Sequence, residues 1–165
     1  MSKNYKPSTA AEALLMRLKL NGIDYLFGNA GTDFAPIIEA YANTQKTNIS
    51  LPEPIVIPHE TAAVAMAHGY YLTTGKPQAA MVHVNVGLAN SLMGIINTAS
   101  DNIPFFMMAG RTPITEHDRV GSRMTPVQYG QEMRDQSTML RESVKWDYEL
   151  RYPEQVCILV DRDNA

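Results

Sequence analysis

Residues 79–109 read AAMVHVNVGLANSLMGIINTASDNIPFFMMA, and their patterning decides the fold. Ala79 to Val84 and Phe105 to Ala109 are short apolar runs without the in/out alternation of a half-exposed strand. Between them, Ala89 to Ser100 spaces its apolar residues as a helix does. Two buried strands joined through a helix make a parallel pair, because the crossover returns the chain to the same end of the sheet.

The same unit recurs upstream. Strand Ile55 to Ile57 precedes a helix over Glu60 to Thr74 closed by Gly75. Strand Ile23 to Phe27 feeds the turn Gly28-Asn29-Ala30-Gly31-Thr32, and a helix over Phe34 to Ala42 follows. Ser8 or Thr9 caps a first helix, Thr9 to Asn21, with Glu12 at its third position in a capping-box pattern. The expectation is an α/β domain over residues 1–165, with a doubly wound, mostly parallel sheet and helices on both faces. In such sheets ligands bind beyond the carboxyl ends of the strands, here the loops Gly28 to Thr32, Pro58 to Glu60 and His83 to Leu88. Downstream, Gly110 to Thr125 reads as a long loop, Val127 to Arg141 as a helix and Val144 to Leu150 as a strand around Trp146. Pro153 is able to open a helix, but Val156 to Val160 reads as a closing strand.

Composition narrows the function. A net charge of −3 with scattered basic residues gives no footprint for nucleic acid or an anionic membrane. Cys157 is the single cysteine, so an intrachain disulfide is impossible and a reducing, cytoplasmic setting fits. Ala10 to Leu20 carries Glu12, Arg17 and Lys19, which a signal-peptide core would not tolerate, and no apolar run reaches membrane-spanning length. The methionines at 66, 81, 93, 107, 108 and 124 read as core filler.

Chemistry concentrates on Ile57-Pro58-His59-Glu60-Thr61-Ala62-Ala63, followed by Met66-Ala67-His68-Gly69-Tyr70-Tyr71 and Thr74-Gly75-Lys76-Pro77. A carboxylate stands where a strand becomes a helix. Glu60 there either favours the positive end of the helix dipole or serves a ligand. An apolar pocket formed by Ala62, Ala63, Val64 and neighbouring chains is expected to raise its pKa. His83 by residue type alone ends a strand and bonds a neighbouring carbonyl. Arg111 follows a strand end and meets either a substrate carboxylate or a surface ion pair. His68 faces helix packing, His117 is solvated among loop charges, and no metal-ligand cluster stands out.

These segments resemble the thiamine-diphosphate enzymes of the acetolactate synthase, pyruvate oxidase and benzoylformate decarboxylase type, in their N-terminal pyrimidine-binding domain. Gly22 to Gly31 is similar to that family's opening strand and turn, with Ala30 where a proline is usual, and Gln131-Glu132 resembles a Gln-Glu pair farther along. The resemblance implies that Glu60 bonds the pyrimidine N1′ and thereby lets the cofactor's own 4′-nitrogen act as base. It further implies cofactor contacts at Gly28, Ala30, Gly31, Gly87 and Asn90, substrate-side positions at Thr32 and Gln131, and a catalytic His83. The loop from His83 to Asn90 departs from the acetolactate synthase pattern, and a histidine there resembles benzoylformate decarboxylase. Non-oxidative decarboxylation of a 2-oxo acid is the activity expected, with carboligation beside it.

Such relatives hold magnesium and the diphosphate on a second domain marked by Gly-Asp-Gly, and no such tripeptide occurs in these residues. The implied partner is a diphosphate-binding domain or subunit, met in a homo- or hetero-oligomer, with thiamine diphosphate and partner-held magnesium as cofactors. A dedicated subunit, an excised domain and a truncated frame all meet this description, and a strand directly after Gln155 would favour truncation or compaction. A non-catalytic assembly or binding module of the same fold is the alternative.

Overall fold

The computed structural model describes residues 6–45, 47–124 and 128–163. Helix α1 (Ala10–Leu20) begins at Thr9, whose hydroxyl accepts the Glu12 amide at 3.1 Å. Glu12 reaches back to the Ser8 amide and hydroxyl at 2.7 and 2.9 Å, so the expected box forms with Thr9 as its cap. Strand β1 (Tyr25–Gly28) leads through a tight turn at Thr32–Phe34 into α2 (Ala35–Thr44). Then come β2 (Glu53–Val56), α3 (Glu60–Thr74) ended by Gly75 at φ +71°, β3 (Gln78–Val82), α4 (Val84–Ser100) and β4 (Phe105–Ala109). Short α5 (Gln128–Gln131) and α6 (Val156–Asp163) complete the order.

The four strands run parallel in the order β2-β1-β3-β4. Growth of the sheet reverses between β1 and β3, and their carboxyl ends frame the crevice where such sheets place ligands. Both faces are apolar, which hides the alternation from the sequence. Leu26, Ala79, Met81, Phe106 and Met108 meet α1, α2 and α6 on one side, whereas Phe27, Ile55, Ala80, Val82, Phe105 and Met107 meet α3 and α4 on the other. Each fully buried Leu, Ile or Val, such as Leu15 or Leu18, contributes about 1.5–3 kcal/mol over leaving it exposed. At the lower end of the sheet the buried Gln78 side chain accepts the Asp24 and Tyr25 amides at 3.0 and 2.7 Å, supplying partners that no strand offers there.

Four expectations need correction. Val156 to Val160 is helical: Val156 and Val160, one turn apart, are the buried pair against α1, while Ile158 stands 65% exposed. Arg17 clasps Asp161 from α1 through Nε at 2.5 Å and through Nη2. The argument for truncation from a closing strand therefore lapses. Val127 to Arg141 is not one helix; α5 stops at Gln131, and a tight turn spans Gln136–Met139, with Val127 itself outside the described residues. Arg111 takes the Met133 carbonyl and the Glu132 carboxylate, both at 2.5 Å, so the chain leaves the helix there. Val144 to Leu150 forms no strand and lies as an irregular strap, Trp146 stacked on Tyr148 at 5.6 Å and under Arg162. Finally, α4 begins five residues before Ala89, so most of the expected loop from His83 to Leu88 is its first turn.

The methionines divide. Met81, Met107 and Met108 pack in the core and Met124 is exposed in the loop after β4, but Met66 and Met93 are exposed on outer faces of α3 and α4 that no described residue covers. Leu72 and Val86 share that exposure. No helix among the described residues is long and apolar enough to cross a membrane.

Charge pairing makes the fold acid-sensitive. Arg141 and Ser137 pull the Asp147 carboxyl down to about 2, Lys19 and Lys76 lower Asp24, and Arg17 and Asn21 lower Asp161. A depressed carboxyl stabilises the fold above its unfolded pKa and loses that contribution as pH falls through the folded value. Thermal unfolding followed by circular dichroism should hold steady from neutrality to about pH 4 and fall between roughly pH 4 and 2. A flat midpoint across that window would remove these pairs from the account of stability.

Candidate functional site

Two clusters meet at the carboxyl ends of β1 and β3. The first centres on Glu60, the opening residue of α3, which is 7% exposed. Asn29, just past β1, donates Nδ2 to Glu60 Oε1 at 2.6 Å, and Asn90 of α4 donates Nδ2 to Oε2 at 3.1 Å. His59 caps α3 through the Thr61 amide and keeps its ring 3.9 Å from Glu60. Burial pushes the Glu60 carboxyl up, but bonds from its own amide, Asn90 and Asn29 outweigh burial and hold it below the ordinary glutamate range. The expected rise was for a pocket closed by neighbouring chains; in this chain by itself three donors aimed at the charged form outweigh the apolar lining. Asn29 Oδ1 is buried and has no partner among the described residues.

The second cluster centres on His83, at the end of β3. Its Nδ1 lies 2.6 Å from Asp33 Oδ1, and Asp33 Oδ2 accepts the Val84 amide at 3.1 Å. Asp33 thereby fixes the ring and also supplies an acceptor to the first turn of α4. Val84 has φ +38°, rare for a β-branched residue and costing about 1–3 kcal/mol, a strain that the Asp33 bond and burial of its side chain hold in place. His83 Nε2 sits 3.0 Å from Gln131 Nε2. With Nδ1–H given to the carboxylate, Nε2 is the acceptor and the Gln131 amide the donor.

Two glycines make room for this pair. A Cβ on Gly31 would stand 2.5 Å from Asp33 Oδ1 and 2.6 Å from His83 Cγ, and one on Gly110 would stand 2.5 Å from both Cβ and Cγ of Asp33. Gly28 and Gly87 serve packing: a Cβ would meet Met81 O at 3.1 Å in the first case and Val82 Cβ at 2.8 Å in the second. Ala30 is exposed at the tip of the turn. Thr32 accepts Arg123 Nη1 at 2.8 Å, which places it with Gln131 and His83 in the second cluster.

The turn Gly28 to Thr32 and the residue after it therefore join both clusters, Asn29 serving Glu60 and Asp33 serving His83. Asp33, Asn29, Arg123 and Gly110 were not singled out from sequence. A carboxylate two residues past Gly31 carried a weak signal for Asp33; the others needed the tertiary fold. Arg111 is an ion-pair residue, bound to Glu132 and Glu149. His68 pairs with Asp101 at 3.2 Å and His117 with Asp118, and no group of metal-ligating side chains occurs among the described residues.

Comparison with known proteins meets this geometry. The acetolactate synthase large subunit of Haemophilus influenzae is 31% identical over 106 residues, 64% of this chain and 18% of that protein. The corresponding Lactococcus lactis subunit is 26% identical over 144 residues, 82% of this chain and 24% of that protein. A putative thiamin diphosphate-dependent enzyme from Mycobacterium smegmatis shares the fold with a TM-score of 0.76 at 23% identity, covering 96% of this chain and 28% of that one. Benzoylformate decarboxylase from Polynucleobacter necessarius does so with a TM-score of 0.71 at 19% identity, covering 95% and 27%. The chain thus spans under a third of the length of each. Residues 8–139 match the family described as "Thiamine pyrophosphate enzyme, N-terminal TPP binding domain", and with β1, the Glu60 helix and α4 all inside that span, the chain belongs to this family.

Proposed function

We propose that residues 1–165 form one domain that provides the pyrimidine-binding half of a thiamine-diphosphate site acting on 2-oxo acids, by decarboxylation or carboligation. The observation that carries this reading is Glu60: a buried carboxylate on a helix N-terminus, held by two neutral amides and with no lysine or arginine paired to it among the described residues. The orphaned Asn29 Oδ1 next to it suits an added N–H donor. Thiamine diphosphate, when bound, supplies a thiazolium carbon acid and an aminopyrimidine base of its own. Glu60 holds or accepts a proton at the pyrimidine N1′, with Asn29 and Asn90 fixing the carboxylate. In the free chain Glu60 is ionised at neutral pH; covering it with a partner surface removes water and raises its proton affinity towards what sharing a proton demands. Gly28, Ala30, Gly31 and Gly87 line or shape the turn beside it. His83, oriented by Asp33, directs Nε2 to the substrate side with Thr32 and Gln131, and takes a substrate proton there by exchanging the Gln131 amide it holds at rest.

A diphosphate-binding domain or subunit that holds magnesium completes the site in this reading. The exposed Met66, Leu72, Val86 and Met93 on α3 and α4 support an apolar partner surface there, and a cytoplasmic oligomer fits it. Calorimetric titration with thiamine diphosphate and magnesium tests the proposal. The chain alone should bind weakly, since the metal-bridged diphosphate contact lies elsewhere, and a partner carrying Gly-Asp-Gly should restore tight binding. Absence of binding with such a partner, from folded protein, would leave a non-catalytic module of the same fold.

A further inference from the structure

Arg123 differs both from the ion-paired arginines and from the exposed Arg119 and Arg134. Arg17 forks onto Asp161, Arg111 joins Glu132 and Glu149, and Arg141 joins Asp135 and Asp147. Arg123 is half-buried, yet no carboxylate among the described residues lies within ion-pair distance of it. Its Nη1 donates to Thr32 Oγ1 at 2.8 Å, its Nη2 reaches Gln131 Oε1 only at 3.5 Å, and its Nε is buried without an acceptor among the described residues. The backbone is anchored, since the Arg123 amide bonds the Thr115 carbonyl at 3.1 Å and the Thr115 and Ser122 hydroxyls meet at 2.7 Å.

A guanidinium held in place, partly desolvated and short of acceptors is costly unless an anion completes it. Tying the strap to the turn at Thr32 needs only a neutral amide. The positive charge therefore asks for another explanation, and its neighbours give one. Gln131 links Arg123 to His83 Nε2, and the Thr32 hydroxyl, while accepting from Nη1, keeps its own proton free for a ligand. Planar carboxylates suit the remaining N–H groups on Nη1 and Nη2 better than any neutral ligand.

We propose that Arg123, with Thr32, is the receptor for the carboxylate of a small 2-oxo acid, seated beside His83 Nε2. Naming the ligand a 2-oxo acid rests on the function proposed above; the anion site itself does not. Sodium pyruvate titrated into the full chain, without cofactor or partner, tests it through the arginine side-chain N–H signals in nitrogen–proton NMR spectra. The Arg123 Nε–H signal and the Thr32 and Gln131 amides should shift saturably, and neutral methyl pyruvate should leave them in place. Arg123→Gln should weaken pyruvate binding about tenfold or more, and Arg123→Lys, which keeps the charge but not the fork, should fall between. An Arg123 signal unmoved up to roughly 50 mM pyruvate, an equal shift with the ester, or an unchanged titration in Arg123→Gln would each overturn the proposal. If that variant misfolds, the wild-type comparison of acid with ester decides alone. Since no cofactor is present, failure here leaves the Glu60 site standing, and failure of the cofactor titration leaves this one testable.

Discussion

Glu60→Gln should lower the rate of cofactor C2 proton exchange in the reconstituted holoenzyme by about 100-fold or more, the scale of losing a positioned acid–base group. An amide fills the same volume but neither gives up nor accepts a proton at the pyrimidine N1′. The fold should survive. Asn29 and Asn90 both donate to Glu60, so a glutamine would bring its own NH2 against one of them, but Asn29 has an unpaired Oδ1 and can turn it inward. One bond is exchanged for another, and stability should change by about 1 kcal/mol. Exchange at the wild-type rate in a folded Glu60→Gln enzyme would return Glu60 to the role of a helix-end charge.

Gly110→Ala carries the largest expected effect on the fold. Its new methyl would overlap the Asp33 side chain, 2.5 Å from Cβ and Cγ, at the residue that holds both His83 and the strained start of α4. Asp33 cannot retreat without abandoning those bonds. Overpacking of this kind costs about 1–3 kcal/mol, and a melting temperature lowered by roughly 4–10 °C is expected. Proton NMR of the His83 ring should report loss of the Nδ1–H held by Asp33. Gly69→Ala is the control: it lies exposed within α3, a Cβ there meets nothing within 4 Å, and alanine should be neutral or slightly stabilising. Equal melting of Gly110→Ala and wild type would show that Asp33 has another resting place and that the pair is less fixed than the geometry implies.

The sequence by itself determined the parallel α/β plan, the bounds of α3 and β4, and the place of Glu60 at the mouth of the sheet. Those features follow from local signals: apolar runs bounded by glycine, a capping box, and a carboxylate at a strand-to-helix junction. Where the pattern was ambiguous, tertiary contact chose. Val156 to Val160 is as apolar as any strand, and only α1 lying one helical turn's spacing from both valines made it a helix. The region after Gln131 has helical spacing, and Arg111 drew its backbone and Glu132 away. The site divides in the same way. His83 and Thr32 were visible as residue types, but Asp33, Gly110 and Arg123 acquire meaning from neighbours that are 50, 77 and 91 positions away in the chain, Asp33 facing His83, Gly110 facing Asp33 and Arg123 facing Thr32. Local propensity sets which segments become strands and helices; long-range packing decides which polar groups are left facing one another, and that pairing holds the Glu60 carboxyl below its ordinary range in this chain and orients His83.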